Sequence, residues 1–244
     1  RLAGKFVKVV LTGAGGDELF GGYPWRYYRG SNGAVNGQFF QQYYQFWQRL
    51  VPDEDKPQLF RDRTSRALQG HSTFEAFRAV FNGWPSTMDR PEDSIQASLY
   101  FEFKTFLHGL LVVEDKLSMA HSLETRVPFL DNELVDFALR IPARYKLRQL
   151  DHAPSVDEDE PAKASRYRQQ PTSDGKVVLR RAMGRLVPED ITRRAKQGFS
   201  APDASWFRGE SIDYLNRLLR NPEARVYEYL NPIYVAQVLD DHCS

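Results

Sequence analysis

The chain has 244 residues, enough to bury a sizeable core in one or two domains. Its 33 Lys and Arg nearly balance 32 Asp and Glu, so a net charge of +1 gives no basic footprint for nucleic acid, and no apolar run approaches a membrane span. The single cysteine, Cys243, excludes an intrachain disulfide framework and a cysteine metal cluster, and fits a reducing, cytoplasmic setting.

Residues 1–5 (RLAGK) lack the apolar core of a signal peptide and hold no initiator methionine, so the chain reads as part of a longer one. Residues 6–11 are β-branched and apolar almost without a break, which predicts a strand covered on both faces, as in a parallel sheet. Thr12-Gly13-Ala14-Gly15-Gly16-Asp17-Glu18 follows. Its glycines allow a sharp turn and a close backbone approach, and main-chain N–H groups in such a turn suit phosphate. Asp17 and Glu18 suit the first turn of a helix and are hard oxygen ligands, placed for a Mg²⁺ that bridges to phosphates. The stretch is neither GxGxxG nor GxxxxGK[ST], so these residues alone also fit a plain tight turn in which Asp17 only caps a helix.

Tyr23-Pro24-Trp25-Arg26-Tyr27-Tyr28-Arg29 reads as a surface turn packing its rings on the core, rather than as a segment bringing Arg26 to bound anions. Residues 38–50 space their aromatics as a helix buried on one face. Residues 64–81 read as short helices broken around Gly70, and residues 82–85 as a turn. A long helical pattern over residues 93–120 carries Leu99, Phe101, Phe103, Phe106, Leu107, Leu110 and Leu111, and Gly109 predicts a split. Residues 132–139 form another helix, with Asn132 a candidate cap. Residues 148–173, rich in Pro and acidic residues, read as an exposed mobile insertion. Lys176 opens an amphipathic helix with Val178, Leu179, Ala182, Met183 and Leu186 inward, and Pro188 ends it. Arg193, Arg194 and Lys196 make a basic patch: a solvated face, or a cation held beside phosphate oxygens. Residues 212–219 and 233–239 read as terminal helices, the second led by Asn231-Pro232.

Three separated stretches resemble one family. They are Leu11-Thr12-Gly13-Ala14-Gly15-Gly16-Asp17-Glu18-Leu19-Phe20-Gly21-Gly22-Tyr23; the run from Asp115-Lys116-Leu117-Ser118-Met119-Ala120 through Glu124-Thr125-Arg126-Val127-Pro128-Phe129-Leu130-Asp131; and Lys176-Val177-Val178-Leu179-Arg180 with Arg194-Ala195-Lys196-Gln197-Gly198-Phe199. In order and spacing they resemble the synthetase domain of the glutamine-dependent asparagine synthetases, a group that extends to the β-lactam synthetases. The resemblance implies an α/β fold of the ATP-pyrophosphatase (adenine nucleotide α-hydrolase-like) type. This segment would hold part of a parallel sheet and be otherwise mostly helical, and residues 1–244 would be the C-terminal part of the domain. It implies a ligase that uses ATP and Mg²⁺ to adenylate a carboxylate, with ammonia from a glutaminase domain completing the amide. The partners implied are small molecules, and a homodimer is allowed. Thr12, Gly13, Ala14 and Gly15 would lie against ATP, Asp17 would bind Mg²⁺-pyrophosphate, and Lys196 would steady the α-phosphate. Glu124, Arg126 and Asp131 would form a buried ion-pair and turn scaffold, and Asp115 could touch the site.

Two departures qualify that picture. The Ser-Gly-Gly-x-Asp-Ser pyrophosphate loop and the glutaminase domain are not in these residues, so they alone should be inactive. Ala14 stands where the family pattern carries Glu, which leaves the acceptor carboxylate open, with aspartate the default. A relative that keeps the fold as a binding module is the alternative.

Overall fold

A computed structural model describes residues 1–27, 38–48, 51–84, 88, 90–148, 175–194 and 211–243. The chain divides into two compact units, residues 1–44 with 77–197, and residues 45–76 with 198–244.

The elements, in chain order, are mostly helical. Strand β1 (Val9–Leu11) leads through the glycine turn into α1 (Gly16–Phe20). Then come α2 (Phe39–Trp47), α3 (Lys56–Leu59), α4 (Asp62–Ala67), α5 (Thr73–Ala79), α6 (Pro91–Lys104) and α7 (Phe106–Met119). Strand β2 (Glu124–Arg126) precedes α8 (Asn132–Arg140), α9 (Ala143–Lys146), α10 (Val177–Met183), α11 (Glu189–Thr192), α12 (Ile212–Leu219) and α13 (Pro232–Cys243).

In the first unit β1 and β2 pair in parallel, Val9 opposite Glu124 and Leu11 opposite Arg126. A small parallel sheet with helices is an α/β arrangement, as the sequence leads one to expect. The covered strand is not observed. Only Val9–Leu11 are extended, and Phe6 and Leu11 are 79% and 74% exposed. Val9 and Leu11, on one face of β1, are exposed, while Val10, on the other face, is half-buried.

The core lies beside this sheet. Tyr23, Trp25 and Tyr27 are buried with Ile95 and Leu99 of α6 and with Ala143 and Leu147. The expected surface turn is thus corrected: its described residues are interior, and 24–27 are helical, while residues 28 and 29 lie outside the described residues. Leu19 and Phe20 of α1 form a second cluster with Ala138 and Ile141, against which Val178 and Leu179 of α10 pack. A third group of rings joins Phe39 and Tyr43 of α2 to Phe77, Phe81 and Phe101.

The long helical pattern breaks at Thr105, four residues before Gly109. The Thr105 hydroxyl donates to the Phe101 carbonyl at 2.7 Å, competing with the helix ladder and bending it. Gly109 stays helical, its N–H reaching the Thr105 carbonyl. Asp131, not Asn132, caps α8, accepting from the N–H groups of Glu133 and Leu134 at 3.1 and 3.2 Å, because a carboxylate at the N-cap satisfies two otherwise orphaned donors. Helix α10 ends at Met183, so Ala182 and Leu186 face solvent and Pro188 instead caps α11.

In the second unit the chain at Leu59 and Arg61 pairs with residues 229–231: the Asn231 N–H donates to the Leu59 carbonyl at 2.7 Å, and the Arg61 N–H donates to the Tyr229 carbonyl at 3.0 Å. The Asn231 side chain accepts from the Ile233 N–H and so caps α13, as Asn-Pro predicts. The expected insertion at residues 148–173 lies outside the described residues, apart from Arg148.

Candidate active site

The site grows out of the end of β1. The Thr12 N–H continues the ladder to the Arg126 carbonyl at 2.9 Å, which fixes where the glycine turn begins. The Thr12 hydroxyl then accepts from the Ala14 N–H at 3.4 Å, and the Gly16 N–H is spent on the Gly13 carbonyl at 3.2 Å. Two of the turn's amides are thus used internally, which narrows the expected cradle. Gly13 faces open space, while Gly15 and Gly16 sit on Leu130 and Phe129. The turn at residues 128–130 therefore props the glycine loop from beneath.

Asp17 and Glu18 part company. Successive helical residues point about 100° apart, so only one carboxylate faces the turn's open side. Glu18 is buried and faces Tyr23 and Tyr27, whose phenols are pushed well above their ordinary range, chiefly by burial and secondarily by nearby carboxylates. It is not a metal ligand at the turn. Asp17 is partly exposed and its Oδ1 lies 2.6 Å from the Lys176 ammonium. The carboxylate folds onto Gly22, where an added Cβ would fall 1.8 Å from Oδ1, so only glycine lets the Gly-Gly-Tyr turn close over Asp17. Among the described residues no three His, Cys, Asp or Glu gather as a metal cage. A lone carboxylate nevertheless fits Mg²⁺, which characteristically arrives with phosphates and takes one or two protein carboxylates.

Two cations that sequence reasoning did not place at the site stand beside Asp17. Lys176 adopts a left-handed conformation, φ +57°, and its N–H donates to the Phe20 carbonyl at 3.1 Å, which ties α10 to the end of α1. Arg180, one helical turn on, feels the Asp17 carboxylate; burial and then the Arg148 guanidinium lower its pKa, and Asp17 opposes them. No sequence signal placed them there: Lys176 caps α10 from a left-handed conformation, so helical spacing does not relate it to Arg180.

The remaining candidates disperse. Glu124 and Arg126 do pair, at 2.9 Å, but both are more than half exposed, so this is a surface pair on a sheet edge and not a buried scaffold. Asp115 is exposed on α7. Arg26 is buried against Glu102 at 3.5 Å and stacks over the rings of Tyr23 and Phe106, which removes it from any anion. Lys196 lies outside the described residues. Arg194, two positions earlier, is described, and its carbonyl accepts from Arg180 at 3.0 Å. The structure thus gathers described parts of all three separated stretches: the glycine turn, the 126–130 segment and the α10–Arg194 segment.

A family model for asparagine synthase matches residues 1–244. The chain belongs to the asparagine synthase family. It is 28% identical, over 99% of its length, to a Bacillus subtilis protein named asparagine synthetase (glutamine-hydrolysing) 1, covering 38% of that protein. It is also 28% identical, over 97% of its length, to the Bacillus subtilis asparagine synthetase (glutamine-hydrolysing) 3, covering 33% of that protein. The chain therefore spans about a third of the length of these curated relatives. No described helix is long and apolar enough to cross a membrane.

Proposed function

We propose that this chain is part of an ATP-dependent, amide-forming ligase with an ATP-pyrophosphatase-type fold. A carboxylate oxygen attacks the α-phosphorus of ATP, the α–β P–O bond breaks, and pyrophosphate leaves. Ammonia then attacks the acyl carbon of the adenylate, the C–O bond to AMP breaks, and a proton is lost as the amide forms. Aspartate, with asparagine as product, is the default pair suggested by the names of the relatives. Ala14 offers a methyl group where the family pattern carries Glu, so the acceptor is to be settled by a substrate panel. Ammonia would come from a glutaminase domain elsewhere in the parent protein.

The observation that carries the reading is the Asp17 turn with Lys176 and Arg180 beside it, in a chain of this family. Thr12, Gly13, Ala14 and Gly15 would lie along the nucleotide; Gly13 is the exposed member, Thr12 and Ala14 are half-buried, and Gly15 is buried against Leu130. Asp17 would hold Mg²⁺ bound with the triphosphate, an ion that neutralises charge on the leaving pyrophosphate. Lys176 pairs with Asp17 and orients it until then. Lys196 is assigned to the α-phosphate, consistent with the Arg180 contact to Arg194. Adenylation needs little covalent help from the protein. Positioning and charge neutralisation supply most of the rate, and a carboxylate flanked by fixed cations supplies both.

The test is pyrophosphate release by the full-length protein with ATP, Mg²⁺ and a panel of carboxylates. Release that depends on one carboxylate supports the ligase. Absence of release with every carboxylate, in a folded protein, favours a non-catalytic binding module.

A further inference from the structure

We propose that Arg180 is a positioning residue that fastens the chain leaving α11 to the Asp17 turn, so that the cationic side of the site is held at a fixed distance from its carboxylate. The proposal rests on the ligase reading for its consequence, but its geometry stands alone. The Arg180 guanidinium donates Nε–H to the Gly175 carbonyl at 3.0 Å. Its Nη1 donates to the carbonyls of Thr192 and, at 3.0 Å, Arg194. One side chain therefore bridges main-chain oxygens at three positions, two of them more than ten residues downstream.

The upstream anchor is rigid. Gly175 lies so close to the end of α1 that a Cβ there would sit 2.1 Å from the Gly21 carbonyl oxygen, and the next N–H, of Lys176, is bonded to the Phe20 carbonyl. The path of fastening runs from α1 to Gly175, through the guanidinium, to Thr192 and Arg194. Arginine suits this task because its planar fork presents several donors in fixed directions, all without acceptor character. Lysine would keep the charge but cannot address three carbonyls in one plane. The Asp17 carboxylate also faces this guanidinium, so fastening and charge balance share one group.

Arg180→Lys and Arg180→Met in the full-length protein test this, with hydrogen exchange as the first readout. In both variants the amides of residues 191–194 should exchange at least ~10-fold faster, while those of α6 keep their protection and the variants stay folded. In the same proteins kcat for pyrophosphate release should fall about 100-fold with KM for ATP nearly unchanged, the signature of a misplaced group rather than a lost ligand. Unchanged exchange at residues 191–194 in Arg180→Lys overturns the proposal whatever the activity. Equal loss in kcat/KM through KM alone makes Arg180 a nucleotide ligand and also overturns it. If the unsubstituted protein releases no pyrophosphate, the ligase reading fails, and the exchange result still decides the fastening.

Discussion

The ring-lined interior around Tyr23–Tyr27 and the β1–β2 sheet belong to the same unit yet solve burial in opposite ways. Tyr27, Tyr43, Ile95 and Glu102 are wholly enclosed, whereas Phe6 and Leu11 stand mostly in solvent. The interior also encloses polar groups: Glu102 accepts from the Tyr43 hydroxyl at 3.1 Å and faces Arg26, which is itself covered by two rings. The sheet has apolar side chains with nothing described to cover them. The contrast teaches that the helical side stores the stability while the sheet side supplies position, delivering Thr12–Asp17 to one edge. It also fits a reading in which further strands of the parent protein complete the sheet.

The largest break in that contrast should come from the interior charge pair. Arg26→Met strands Glu102 in a fully buried position, and should lower stability by about 3–5 kcal/mol in urea unfolding, the cost of an uncompensated interior charge. A loss under 1 kcal/mol would show that the interior is not sealed around this pair.

The next effect has the opposite sign. Lys146 is 1% exposed, its ammonium reaches only the Gln96 side-chain Oε1 at 3.5 Å among the described groups, and burial pulls its pKa from 10.5 down to about 8. Below pH 8 both folded and unfolded chains carry the proton, so the burial cost is fully present. Between pH 8 and 10.5 the unfolded chain binds more protons, so this group's contribution to stability rises with pH. Lys146→Met should therefore stabilise the protein by about 3 kcal/mol at pH 7, and the gain should shrink toward pH 10. The difference between the two proteins isolates Lys146 from the buried tyrosines, whose raised pKa values act the other way above their ordinary range. A gain that does not change with pH would contradict the assignment.

The smallest effect belongs to the sheet. Leu11→Thr, at a side chain mostly in water, should change the stability of residues 1–244 by less than about 0.5 kcal/mol. A cost of 2 kcal/mol or more would mean that Leu11 is buried and that the contrast fails.

Much of this was legible in the residues. The glycine turn, its strand and Asp17 were, because local backbone demands and a charge at a helix start leave marks over a few positions. The start of the last helix at Asn231-Pro232 and the helices on either side of Gly70 were legible for the same reason, whereas the short helix α3 left no mark that was read. Glu102 was hidden: its helix reads as an apolar face plus a solvated one, and only the partners Arg26 and Tyr43, both more than fifty positions away, make a buried carboxylate tolerable. The helix break at Thr105 was assigned to Gly109, because glycine's cost is familiar and a hydroxyl bonding back to the preceding turn is not visible without coordinates. Lys176 and Arg180 were quoted as part of a resemblance, but their nearness to Asp17 is a tertiary fact. The role given to Lys196 falls on residues that the structure does not describe.

The most direct test of the central claim compares carboxylate-dependent pyrophosphate release by the full-length protein with that of its Asp17→Asn and Lys196→Ala variants, at saturating ATP and Mg²⁺. The account predicts a loss of at least ~100-fold in each variant, with thermal unfolding close to that of the parent. Release at the parent rate in both folded variants would contradict it.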